Sequence, residues 1–156
     1  MTPAIDYLKK QQIDFQVHQY EHDKNGESYG LEAVQKLHLD ARQVFKTLVV
    51  CLDNHQLVVA IIPVAKKLSM KLIAKHFMVK KAMMADKNDV LRSTGYVLGG
   101  VSPFAQKKRI VTVLDDSALN FPSIYVSAGK RGVEIELAAS KLQQLLNAKC
   151  EGITLP

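Results

Sequence analysis

Two closely spaced aliphatic runs constrain this chain most: residues 44–52 (VFKTLVVCL) and 57–64 (LVVAIIPV), separated by Asp53-Asn54-His55-Gln56. Valine and isoleucine lose rotamer freedom in a helix but pack well on a pleated surface. With a polar tetrapeptide between them, the two runs predict a β-hairpin buried on both faces. Such a hairpin cannot stand alone, because elements elsewhere in the chain must cover each face.

At 156 residues the chain has the size of one domain, and a domain this long buries roughly two thirds of its unfolded surface without a disulfide or metal staple. Residues 1–156 contain no repeat, low-complexity tract or linker, so we expect one domain throughout. The composition, 47% hydrophobic and 23% charged, excludes a disordered or collagen-like chain. No apolar run approaches the length of a membrane-spanning helix. Segment 1–15 contains acids and has no apolar stretch, unlike a signal peptide. Cys51 and Cys150 read as two reduced thiols, and the expected location is the cytoplasm.

Around the hairpin the pattern alternates between helix and strand. Thr2 and Pro3 form a cap and first-turn pair, with Ile5, Leu8 and Ile13 following at helical spacing. Residues 14–20 alternate like a strand, 21–29 read as a polar loop, and 30–39 return to helical spacing. Ser69 opens a helix to about His76, and Asp86 or Asn88 caps another to about Ser93. Strands are expected near 110–114, 123–127 and 133–137, with a last helix over 138–147. The order is not a regular βαβ alternation, so the expected class is mixed α/β (α+β) rather than doubly wound.

Four groups of residues could carry chemistry. Lys46 lies in the first apolar run, where both strand faces are otherwise apolar; a desolvated lysine there loses its proton more readily or awaits an anion, unless it snorkels to water from the strand's end. Gly99-Gly100-Val101-Ser102-Pro103-Phe104 can aim backbone N–H groups at one oxygen, as in an oxyanion hole, or can be a tight turn. Ser127-Ala128-Gly129-Lys130-Arg131-Gly132 has a Gly-Lys pair but not the spacing of a phosphate-binding P-loop. It remains a basic turn. Residues 65–84 hold six lysines and no acid, matching the net charge of +6. Lys67, Lys71 and Lys75 at i, i+4, i+8 would line one helix face, either solvated or neutralised by RNA phosphates. With Lys130 and Arg131 they form the candidate RNA-binding set, although no motif for base-specific readout is present.

Other chemistry finds little support. His18, Tyr20 and His22 share a strand face without a ligand at metal spacing. HExxH and GxSxG are absent. Cys51 lies in an apolar strand without a nearby basic residue to favour the thiolate. Neither a metal nor a cofactor is expected.

Four segments in order resemble the YbaK family of aminoacyl-tRNA deacylases: HQYEHD at 18–23, VFKTLVV at 44–50, RSTGYVLGGVSPFAQKKR at 92–109 and IYVSAGKRGVEIELAA at 124–139. The resemblance runs nearly end to end. It implies a mixed α/β domain with a curved, barrel-like sheet flanked by helices, and hydrolysis of mischarged Cys-tRNA(Pro). It also implies that Lys46 is the essential lysine, with Tyr20, Thr47, Gly99, Gly100, Ser102, Ser127, Gly129 and Glu134 around the substrate. Glu134 stands where the family carries Asp, and Ala105 where many members have Gly, which suggests that position 105 needs no positive φ here. The implied partners are tRNA(Pro) and prolyl-tRNA synthetase. The implied reaction is substrate-assisted, the cysteine thiol attacking its own ester. A non-catalytic tRNA- or nucleotide-binding module and an Ala-tRNA(Pro) deacylase are the alternatives.

Overall fold

The structure, a computed structural model, describes residues 2–23 and 29–156. In chain order its elements are α1 (Pro3–Lys10), β1 (Gln16–Gln19), α2 (Tyr29–Leu37), β2 (Phe45–Leu52), β3 (Leu57–Pro63), α3 (Met70–His76), β4 (Ala82–Met84), α4 (Lys87–Thr94), β5 (Val111–Asp115), β6 (Ile124–Ser127), β7 (Val133–Leu137), α5 (Ala139–Leu146) and β8 (Lys149–Glu151). A 3-10 turn at Asp116–Asn120 follows β5. Within the polar loop expected over 21–29, residues 24–28 lie outside the described residues.

The hairpin is the centre of the molecule. β2 and β3 pair antiparallel from Phe45 opposite Pro63 to Cys51 opposite Leu57. They lie inside a five-stranded sheet of order β4-β2-β3-β5-β8, in which β5 and β8 run parallel to their inner neighbours. Phe45, Val49, Val59 and Ile61 pack into the larger core with Ile5 and Leu8 of α1 and Ile124, Val126 and Ile135 of the second sheet. Val50, Val58, Ala60 and Ile62 face the other way, against Ile73 of α3 and Ile153. Both faces are therefore covered, as the aliphatic runs require. Thr2 caps α1 by accepting a hydrogen bond from the Ile5 N–H at 3.2 Å, which satisfies one of the helix's orphan donors. Ser69 and Asp86 cap α3 and α4 in the same way.

The second sheet is three-stranded, of order β1-β7-β6. It meets the first through one parallel bridge between Val44 and Tyr125, where the Tyr125 N–H donates to the Gln43 carbonyl at 3.1 Å. The barrel-like closure expected from the resemblance is not formed. β4 covers only Val50–Leu52 of the outer edge of β2, β6 bridges only to Val44, and among the described residues no strand pairs with that edge from Phe45 to Leu48. Two open sheets joined at a corner leave a gap there. That gap positions the site.

Three local expectations are corrected. α3 starts at Met70, behind its Ser69 cap, so Lys67 precedes the helix and does not share a face with Lys71 and Lys75. The Lys67 carbonyl instead accepts from the Leu155 N–H at 2.9 Å, pulled aside by the bridge between Leu68 and Thr154. α1 ends before Ile13, which packs on the core from beyond the helix. Ala105 does adopt positive φ, at 58°, a region that costs a residue with a Cβ roughly 1–2 kcal/mol. Ala105→Gly is therefore expected to stabilise the fold by about 1 kcal/mol after glycine's greater chain entropy is subtracted, readable as a higher urea midpoint with an unchanged slope. β4 and β8, each of three residues, are strands that the sequence pattern did not announce. Cys51 and Cys150 are both free thiols.

Candidate active site

The gap in the edge of β2 opens onto a cavity of about 410 Å3. Its floor is β2 itself, from Phe45 to Val49; Ser127 approaches from the end of β6, and Gly99-Gly100-Val101, Lys130 and Arg131 from the surrounding loops. Tyr20 and Glu134 close the side formed by the second sheet.

Lys46 lies where the outer edge of β2 is open, opposite Ile62 of β3 on the inner edge, and is partly buried. Burial holds its pKa below that of an ordinary lysine, and the nearby charge of Lys67 pushes it down further. Thr47 follows Lys46 on the opposite face of β2, and its hydroxyl oxygen is the one fully enclosed side-chain polar atom without a hydrogen-bond partner among the described residues. Buried polar atoms are nearly always satisfied.

The glycine loop behaves differently from a two-amide oxyanion hole. Gly99 takes positive φ, 87°, but the Gly100 N–H donates to the Val97 carbonyl at 2.9 Å and is occupied in a turn. Ser102 is fully buried and away from the cavity lining. Its hydroxyl accepts from the Phe104 N–H at 3.3 Å and shapes the chain behind the loop. Gly129 also stands behind the lining. It holds φ at 94°, and a Cβ there would lie 2.3 Å from the Tyr96 ring, whose hydroxyl donates to the Phe104 carbonyl at 2.6 Å. Gly129 and Ser102 thus belong to one support under the cavity wall, while Ser127 lines it and accepts from the Gly129 N–H at 3.0 Å.

Glu134 is deeply buried, and burial pushes its pKa up to about 8. Burial first, and then Glu134, push the Tyr20 phenol up to about 12, so Tyr20 stays protonated as a donor at neutral pH. Arg131 hydrogen-bonds the His22 Nε2, whose Nδ1 pairs with Glu32 at 2.6 Å, tying the basic turn to α2. Of the lysines expected to bind RNA, Lys130 reaches the cavity, Lys67 lies near Lys46, and Lys71 and Lys75 lie on α3, away from the lining. Among the described wall residues, Gly30, Met84, Val90 and Leu98 escaped the sequence reading. Met84 and Leu98 form an apolar rim, 41% and 54% exposed. Gly30 lets α2 approach β3, since a Cβ there would sit 2.2 Å from Val64 Cγ1.

A small α+β domain of two open sheets with a cavity at their junction is a known architecture. A solved structure described as a candidate trans-editing enzyme for prolyl-tRNA synthetase matches it with a TM-score of 0.87 at 17% identity, over 99% of this chain and 96% of the other. Residues 25–145 match the aminoacyl-tRNA editing domain, and the chain belongs to that family. A relative in Enterococcus faecalis, EbsC, designated a candidate Cys-tRNA(Pro)/Cys-tRNA(Cys) deacylase, is 34% identical over 98% of this chain and 93% of its own length. YwhH of Bacillus subtilis, an uncharacterised protein, is 35% identical over 44% of each chain.

Proposed function

We propose that this protein is a trans-editing hydrolase that cleaves the ester between a wrongly attached amino acid and tRNA, with Cys-tRNA(Pro) as its substrate. The observation that carries the reading is Lys46, partly buried in the cavity wall on the strand whose outer edge lies open there. A cation held in a cavity wall by a rigid strand suits an ester carbonyl on which negative charge develops. Lys130, Arg131 and Lys67 supply positive charge around the cavity for the phosphates next to the terminal ribose. Such contacts position the RNA without reading bases. The choice of tRNA would then come from association with prolyl-tRNA synthetase. None of the described helices is long and apolar enough to cross a membrane, and the site of action is the cytoplasm, where charged tRNA is found.

The described residues lining the cavity include no cysteine or histidine, which favours a nucleophile supplied by the substrate or by water. In the substrate-assisted route the cysteine sulfur bonds to its own carbonyl carbon, the bond to the ribose oxygen breaks, and the thiol proton passes to that oxygen. The four-membered thiolactone then adds water and opens to free cysteine. Proline has no thiol and is spared. Ester loss from Cys-, Ser-, Ala- and Pro-tRNA(Pro) tests this route, with rapid loss of the cysteine ester alone as the expected result. Equal loss of the alanine ester would replace it with water attack and an Ala-tRNA(Pro) deacylase. Binding of tRNA with every ester left intact would make the domain a binding module.

A further inference from the structure

Two glutamates on β7 present a contrast that the ester chemistry does not explain. Glu134 and Glu136 are two residues apart and project from the same face of the strand. Glu136 is fully engaged: its carboxylate pairs with His18 Nε2 at 2.9 Å and accepts from the Ser123 hydroxyl at 2.6 Å. Glu134 is the more deeply buried, only 6% exposed, yet among the described residues it has no hydrogen-bond or ion-pair partner. Lys46 lines the same cavity, but no ion pair joins the two. The cavity is therefore bipolar, with a cation on the first sheet and an unanswered carboxyl on the second. Burying a carboxyl without a partner is costly, and such groups persist where a ligand completes them.

An aminoacyl ester has a matching polarity, with an electron-rich carbonyl and ribose at one end and a cationic α-amino group at the other. Resting on the proposed ester chemistry for the identity of the substrate, we propose that Glu134 receives the α-ammonium group, so that the cavity accepts aminoacyl groups with a free amine and rejects N-acylated ones. The Tyr20 phenol on the same side stays neutral and brings no counter-charge, and the other charged groups lining the cavity among the described residues, Lys46, Lys130 and Arg131, are cations that repel an ammonium. The raised pKa of Glu134 fits a carboxyl lacking a counter-charge until the substrate brings one.

The test uses stable analogues, so that it does not depend on turnover: 3′-deoxy-3′-(cysteinylamino)adenosine and its N-acetyl derivative, titrated calorimetrically into the full chain. Wild type is expected to bind the free-amine analogue at least 30-fold more tightly than the N-acetyl one. Glu134→Gln should reduce that ratio to about threefold or less, chiefly by weakening the free-amine analogue, while holding the N-acetyl analogue within threefold of wild type. That retained binding also shows that the variant is folded. Equal affinity of the two analogues for wild type, or an unchanged ratio in Glu134→Gln, would overturn the assignment. The preference without any loss of ester from Cys-tRNA(Pro) would sustain the ammonium site and remove the hydrolase reading. Ester loss without the preference would do the reverse.

Discussion

Lys46→Met lowers ester turnover on Cys-tRNA(Pro) by about 10²- to 10³-fold, the scale for loss of one donor to a developing oxyanion, and at the same time makes the protein more stable. The two effects have one origin. Burial and the charge of Lys67 both disfavour the protonated amine, so the folded pKa lies below the usual lysine value. For a base depressed in this way, the penalty is fully present below the folded pKa and fades as pH rises towards the unfolded value. At neutral pH the wild-type fold therefore carries the penalty, and methionine, with a similar length and no charge, removes it. A gain on the order of 1 kcal/mol, or a melting temperature higher by about 2–4 °C, is expected. Affinity for tRNA is expected to change little, because the phosphate contacts proposed for Lys67, Lys130 and Arg131 remain. A variant that is inactive and less stable would mean that Lys46 braces the fold and that its loss reaches the chemistry indirectly.

Glu134→Gln strongly changes the pH dependence of stability. The native group has its pKa raised by burial from 4.5 to about 8. A raised carboxyl favours the fold while protonated in both states and costs stability as pH climbs from the unfolded pKa to the folded one. The stability of the variant minus that of wild type should be near zero at pH 4.5 and grow towards pH 8, with a ceiling of about 5 kcal/mol set by the size of the shift. Other carboxylates, such as Glu32 and Glu136, have their pKa values lowered, and their acid-side losses cancel in the difference. Urea unfolding of both proteins at several pH values measures it. A flat difference would place Glu134 in water.

The hairpin could be read directly because its signal is local. Aliphatic runs on both sides of a polar tetrapeptide leave few other structures open, and the caps at Thr2, Ser69 and Asp86 report helix starts through one side chain each. Lys46 stood out for the same reason, as a charge in an apolar strand. What escaped was set by tertiary pairing. β4 has the sequence Ala-Met-Met, with no β-branched residue, and is a strand only because β2 offers it an edge. Lys67 keeps perfect helical spacing with Lys71 and Lys75, yet the pairing of Leu68 with Thr154 takes it off the helix. The motifs drew attention to the right loops but did not separate the residues within them. Gly99 and Ser127 reach the cavity, whereas Ser102 and Gly129 hold the wall from behind, a distinction that depends on Tyr96 filling the space beside Gly129. The gap between the two sheets had no signature at all, since it arises from strands that stop short.

The most direct test of the central claim is single-turnover ester loss from Cys-tRNA(Pro) with wild type and Lys46→Met side by side, using equal concentrations of folded protein. The account predicts rapid loss with wild type and at least a 100-fold slower rate with the variant, at nearly unchanged tRNA affinity. Equal rates for the two proteins would contradict it, because the open edge of β2 would then not be where the ester is cleaved.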